Sequence, residues 1–65
     1  MEFNVSFYRS GDRKENSLIA REAVIASDEG KAVAVARGKL TARYPEVAQC
    51  MFWCVDLYGE RRRKG

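Results

Sequence analysis

Side chains that commonly perform chemistry are few in this 65-residue sequence, and their spacing assembles no recognisable site. Cys50 and Cys54 are the only cysteines and histidine is absent, so two thiols lack the further nitrogen or sulfur ligands of a structural zinc site. The serines have no base partner that the sequence identifies, and the neighbouring acids Asp28 and Glu29 are explained by the start of a helix. We therefore expect no catalytic residue, no cofactor and no metal, and a protein that is not an enzyme.

The two cysteines also bear on redox state and location. On a strand, residues four positions apart are separated by about 13 Å, whereas a disulfide needs Cα atoms within about 7 Å, so we expect reduced thiols. Glu2 and Asn4 interrupt the basic-then-apolar layout of a signal peptide. No segment approaches the roughly 18 apolar residues of a membrane span. These features predict a cytoplasmic protein with no membrane partner.

Positive charge is concentrated at the C-terminal end of the chain. The formal net charge is +3, but four cations lie close together at Arg61, Arg62, Arg63 and Lys64. Residues 1–60 keep eight basic and nine acidic side chains, a net of −1. We predict one domain over residues 1–59 and a basic tail over 60–65. The four cations are candidate nucleic-acid contacts, although a solvated terminus is the commoner explanation of such a tail.

Two strands are predicted in the first half of the chain. Residues 1–8 alternate apolar and polar side chains, which is typical of a half-buried strand. A polar loop follows over 10–17, and residues 18–26 are interpreted as the second strand. Its inward side chains are predicted to be Val24 and Ala26, and its outward ones Arg21 and Ile25. Glu22 shares the inward parity, which indicates a position past the edge of the helix or beside a bulge.

One helix is predicted between the second strand and the last one. Ser27 or Asp28 can cap its start, and Pro45 stops it just after Tyr44. At 100° per residue its apolar positions share one side, which predicts an amphipathic surface helix. These inward positions are Ala32, Val33, Ala36, Leu40 and Tyr44. Gly38 is on the other side and costs about 1 kcal/mol relative to alanine, which hints at a close approach of another group.

The last strand, predicted over residues 48–58, is apolar on both faces. Asp56 indicates which face is inside: an unpaired carboxylate beneath a helix is costly, so we place Asp56 on the face away from the helix. The opposite parity then points into the core and consists of Met51, Trp53, Val55 and Leu57. The fold class is α+β: a three-stranded, antiparallel-type sheet in the order β-β-α-β along the chain, with one helix on one face. A crossover through the helix places the strands in the spatial order 2-1-3.

The face of the sheet without a helix is the predicted contact surface. Aromatic, aliphatic and arginine side chains converge there, and these types dominate binding energy at protein interfaces. The predicted partner contacts are Tyr8, Arg21, Ile25, Phe52 and Tyr58. Scattered exposed apolar residues are normal on a small protein, and a homodimer formed by packing two such faces is an alternative to a different partner.

The segment MEFNVSFYRSGDRKENSLIAREAVIASDEGKAVAVARGKL, by its small size and β-β-α layout, resembles small phage-encoded anti-CRISPR proteins. The resemblance implies a stoichiometric inhibitor that binds a CRISPR effector subunit in the bacterial cytoplasm and blocks engagement of target DNA. Many such proteins are acidic DNA mimics, and the basic tail departs from that pattern. The resemblance thus favours a direct protein-surface blocker. The alternative is a small nucleic-acid-binding module anchored by residues 61–64.

Overall fold

The computed structural model describes residues 1–57 of the chain. Its element order confirms the predicted β-β-α-β arrangement and adds two short 3-10 segments. The elements are β1 (Glu2–Tyr8), a 3-10 turn (Glu15–Ser17), β2 (Leu18–Ile25), α1 (Glu29–Thr41), a 3-10 helix (Pro45–Gln49) and β3 (Phe52–Leu57). The predicted boundary between residues 1–59 and the tail, together with Tyr58 and the cations at 61–64, lies outside the described residues.

The three strands form one antiparallel sheet with β1 at its centre. The spatial order is β2-β1-β3, which confirms the predicted order 2-1-3. Val5 lies opposite Glu22 of β2 on one side and opposite Val55 of β3 on the other. The apolar residues of β1 therefore share one face with alternate residues of both neighbours.

The core lies between that face and α1. Phe3, Val5 and Phe7 are buried against Ala32, Ala36 and Leu40 of the helix. Val24 is buried as predicted, while Ala26 and Val33 pack against the core and are partly exposed. The small alanine side chains allow α1 to lie close to the aromatic row of β1.

The helix begins where the sequence predicts and ends earlier. The Asp28 carboxylate accepts a hydrogen bond from the Lys31 amide at 2.8 Å, a side-chain cap on the first turn. The last helical residue is Thr41, whose hydroxyl donates to the Arg37 carbonyl oxygen at 2.6 Å. The prediction that Tyr44 extends the inward stripe is wrong, because Tyr44 lies outside the helix and is exposed.

The last strand is shorter than predicted. Residues 48 and 49 belong to the 3-10 helix, which begins at Pro45 and buries Val47 completely. Trp53, Val55 and Leu57 have the predicted parity, since they lie opposite the core residues of β1. Met51 does not join the core: it precedes β3 and is 76% exposed. The interpretation of Met51 as an inward residue is therefore wrong.

The inward parity of Glu22 is confirmed, because Glu22 lies opposite the buried Val5. Its carboxylate is partly exposed beside α1 and lies 4.0 Å from the Lys39 ammonium. The irregularity in the pairing lies elsewhere, between Phe7 and Tyr8. Within residues 1–57 no helix is long and apolar enough to cross a membrane.

Candidate functional site

The predicted contact residues on the helix-free face do not form an open patch. Tyr8 is only 6% exposed, so the prediction that it is presented to a partner is wrong. Phe52 is partly buried, and the loop after β1 approaches it closely: a Cβ at Gly11 would lie 3.3 Å from the Phe52 ring. The loop over residues 9–17 covers part of this face, and Arg21 holds the loop in place. Together they reduce the surface that these aromatic side chains were predicted to expose.

Arg21 lies on the predicted face, but its charge is already engaged within the chain. Its guanidinium donates to the Ser6 hydroxyl at 2.8 Å and to the Glu15 carboxylate at 2.8 Å. The hydrogen bond to Glu15, followed by one to Tyr8, raises the pKa of Arg21 above its ordinary value. Arg21 thus holds the loop onto the sheet, which explains part of the burial of Tyr8.

Asp12 organises the same loop from its tip. One carboxylate oxygen accepts hydrogen bonds from the Ser10 hydroxyl at 2.7 Å, the Lys14 amide at 3.1 Å and the Ser17 hydroxyl at 3.2 Å. The Ser10 and Lys14 hydrogen bonds stabilise the ionised form and lower the pKa of Asp12, with a smaller contribution from Ser17. The loop is therefore a hydrogen-bonded structure built around one carboxylate.

Ile25 is the one predicted contact residue that the described structure leaves largely exposed, at 79%. Met1, also exposed at this end of the sheet, precedes Glu2, the β1 partner of Ile25, and bonds Ala26 through its main chain. These two side chains lie at the opposite end of the sheet from Phe52, which pairs with Tyr8 at the far end of β1. The predicted set is therefore divided between two ends of the sheet.

A different apolar surface lies on the helix side, along β3. The helix packs mainly on β2, less on β1 and least on β3. The side chains of β3 on that side are consequently only partly covered, and Trp53 is 38% exposed. We call the helix-side residues of this strand, Trp53, Val55 and Leu57, together with the exposed Met51 that precedes it, the β3 row.

Arg37 fills the gap between α1 and β3. Its Nη1 donates to the carbonyl oxygens of Val47 at 2.8 Å and Cys50 at 3.0 Å. The guanidinium carbon also lies 5.3 Å from the ring centroids of both Phe7 and Trp53, within the range of a cation–π contact. Arg37 thereby fixes the position of Trp53, the largest side chain of the β3 row.

The cysteines are both free thiols, and neither is fully exposed. Cys50 lies near main-chain oxygens, with Sγ 3.1 Å from the Tyr8 oxygen and 3.2 Å from the Phe52 oxygen. Among the described residues, no three cysteine or acidic side chains come together as metal ligands would. The geometry around Cys50 is that of a packed, weakly hydrogen-bonded thiol.

A shallow cleft of about 210 Å³ lies beside the start of β3. Ligand pockets usually measure about 300–1,000 Å³, so this cleft is small for a metabolite. Two of its charged lining residues, Arg9 and Glu46, pair with each other at 3.1 Å. The β3 row is therefore the stronger candidate surface.

Sequence reasoning assigned the β3 row to the core and did not single out Arg37. The signal for exposure was the apolar character of both faces of the last strand, which one helix cannot cover. In comparisons with known proteins, no family model, curated protein or solved structure matches this chain.

Proposed function

We propose that this chain is a non-enzymatic protein-binding module whose contact surface is the β3 row. The observation that carries the proposal is the incomplete cover of β3: the helix packs most on β2 and least on β3, and large apolar side chains remain accessible beside it. Contiguous apolar surface of this kind is typical of interaction sites. A partner that covers the row removes this surface from water.

The residue types and their fixation support the same surface. Trp is among the residues most enriched at interaction hot spots, and Met is enriched at interfaces. Trp53 is held by Arg37 before any partner arrives, so less side-chain entropy is lost on binding. Met51 adds an exposed, adaptable side chain at one end of the row.

The resemblance to anti-CRISPR proteins gives this proposal a specific form. The partner is then a subunit of a bacterial CRISPR effector complex, and occupation of its surface blocks engagement of target DNA. The formal charges of residues 1–57 balance, with eight basic and eight acidic side chains. Such a balance favours contact through apolar surface over mimicry of DNA charge.

The experiment compares two single substitutions at almost equally exposed apolar positions. Met51→Glu alters the β3 row, and Ile25→Glu alters the other end of the sheet. Binding of each tagged variant to purified CRISPR effector complexes is measured at low and high salt, with and without nuclease. We expect Met51→Glu to weaken binding at least tenfold and Ile25→Glu to leave it unchanged.

Three results would count against the proposal. Equal loss in both variants, or loss with Ile25→Glu alone, places the contact away from the β3 row. Absence of binding to every effector complex removes the anti-CRISPR form. Retention of nucleic acid that disappears with nuclease, with high salt or on deletion of residues 61–64 supports the nucleic-acid-binding alternative instead.

A further inference from the structure

We propose that the free edge of β3 pairs with β3 of a second copy of this chain, which gives a two-fold symmetric, six-stranded antiparallel sheet. This inference goes beyond the proposed function and does not depend on it. It concerns main-chain groups at the strand edge, whereas the β3 row consists of side chains above the sheet.

The main-chain direction in β3 follows from one hydrogen-bonded pair at the other side of the sheet. The Met1 nitrogen donates to the Ala26 oxygen at 3.2 Å, and the Ala26 nitrogen donates to the Met1 oxygen at 2.9 Å. Because antiparallel ladders alternate, the odd residues of β1 point their main-chain groups to β2 and the even ones to β3. Ser6 therefore bonds its partner Cys54, as do the other even pairs.

The alternate residues of β3 consequently present their main-chain groups at the outer edge. These residues are Trp53, Val55 and Leu57, and within residues 1–57 no strand lies beyond β3. Each presents one N–H and one C=O that a further strand can bond. The same three residues carry apolar side chains on the helix side, so pairing at this edge also brings apolar side chains of two strands together.

The two edges of the sheet differ in how they are protected against pairing. Natural edge strands avoid association through charges, bulges or a covering helix. The β2 edge has all three features: it contains Arg21 and Glu22, an irregular pairing at its start, and α1 packed above it. In β3, Asp56 is the only charged residue, and the helix covers this strand least. Edge pairing is therefore expected at β3.

The occupant is a second copy because the edge is complementary to itself. When two β3 strands pair about an axis at Val55, Trp53 bonds Leu57 of the second copy and Val55 bonds its own counterpart. This register uses all three outward residues in hydrogen-bonded pairs. It places Asp56 opposite Cys54 of the second copy, whereas the register centred on Asp56 sets two carboxylates face to face, which like charge disfavours.

The test removes the central edge donor without touching the ladder inside the chain. The Val55 nitrogen faces outward, so N-methylation there leaves the β1–β3 hydrogen bonds in place. The control is N-methylation of Ala23, which the same alternation places with its nitrogen at the outer edge of β2. Both chains can be made by chemical ligation at Cys50 and compared by sedimentation equilibrium, with circular dichroism as the check on folding.

We expect the unmodified chain and the Ala23-methylated chain to be dimers, and the Val55-methylated chain to dissociate at least tenfold more readily while staying folded. Under oxidation, Asp56→Cys should form a disulfide to Cys54 of the second copy, and the same variant with Cys54→Ser should not. A chain that remains monomeric up to about 1 mM, or a dimer indifferent to the Val55 methyl group, would overturn the proposal. Binding by the Met51→Glu variant is scored separately, so failure of one proposal leaves the other testable.

Discussion

The guanidinium of Arg37 donates to the main-chain oxygen of Val47 across a distance of 2.8 Å. This contact joins the middle of α1 to the 3-10 helix that leads into β3, ten residues further along the chain. The same nitrogen also reaches the Cys50 oxygen at the end of that segment. A charged donor thereby gives the Val47 oxygen a second partner, since that oxygen also accepts from the Cys50 amide at 3.1 Å, and it satisfies the oxygen of Cys50.

Replacement of Arg37 should destabilise the fold. Arg37→Ala removes charge-assisted hydrogen bonds and two aromatic contacts, and we expect the free energy of unfolding to fall by about 1–2 kcal/mol. Urea denaturation, monitored by the fluorescence of the single tryptophan, measures this free energy of unfolding. Arg43→Ala, at an exposed position, is the control and should change stability by less than about 0.5 kcal/mol. Equal effects would refute the structural role of Arg37.

Val47 anchors the connection before β3 in the core. Val47→Ala removes two fully buried methyl groups and should lower the free energy of unfolding by about 2 kcal/mol. Val35→Ala makes the same chemical change at an exposed helix position, where alanine is the better helix former, so stability should hold or rise slightly. Urea denaturation curves give the free energy of unfolding of both variants. A Val47→Ala chain as stable as the parent would contradict the packing of Val47 in the core.

Gly38 offers a position for stabilisation. The sequence suggests that something approaches it closely, yet a Cβ there would meet no atom of the chain within 4 Å. We expect Gly38→Ala to raise the free energy of unfolding by about 1 kcal/mol. Gly11→Ala should give no such gain, because its Cβ would lie 3.3 Å from the Phe52 ring. A thermal melt that shows no stabilisation by Gly38→Ala would contradict the open surroundings seen here.

Stability should depend on pH through Asp12. Its hydrogen bonds hold the pKa of Asp12 in the folded chain below the ordinary value of 3.8. The contribution of Asp12 to the free energy of unfolding is therefore complete above pH 3.8 and is lost as the pH falls through the lowered pKa. A carboxyl titration followed by NMR should therefore place the pKa of Asp12 below its ordinary value of 3.8. In Asp12→Asn the acid-induced change at the Lys14 amide should disappear. An Asp12 pKa at or above the ordinary value would contradict the hydrogen bonding at the loop tip.

Much of the fold was predictable because it depends on alternation. The period-two pattern of residues 1–8 identified the central strand, and alternation in the second strand identified the inward parity of Glu22. The capping acid and the need for one covering helix were also readable from residue types. Such local patterns predict the structure correctly because each depends on only one or two neighbouring elements.

The candidate surface was harder to predict because it depends on side-chain contacts between distant parts of the chain. The burial of Tyr8 requires Arg21 and a loop whose shape depends on Asp12. The exposure of Trp53 requires knowledge that α1 lies nearer β2 than β3. The short 3-10 helix that buries Val47 has no periodic signal of its own, since it spans only five residues.

The central position of β1 has a consequence for how the chain folds. Its pairing with β2 closes a short loop, but its pairing with β3 joins segments about fifty residues apart, such as Phe3 and Leu57. Contacts between such distant residues form late, since the entropy of closing a long loop must be overcome first. We therefore expect β1, β2 and α1 to assemble before β3 pairs with β1. During that interval the unpaired side of β1 is the segment most exposed to wrong pairing and to chaperones.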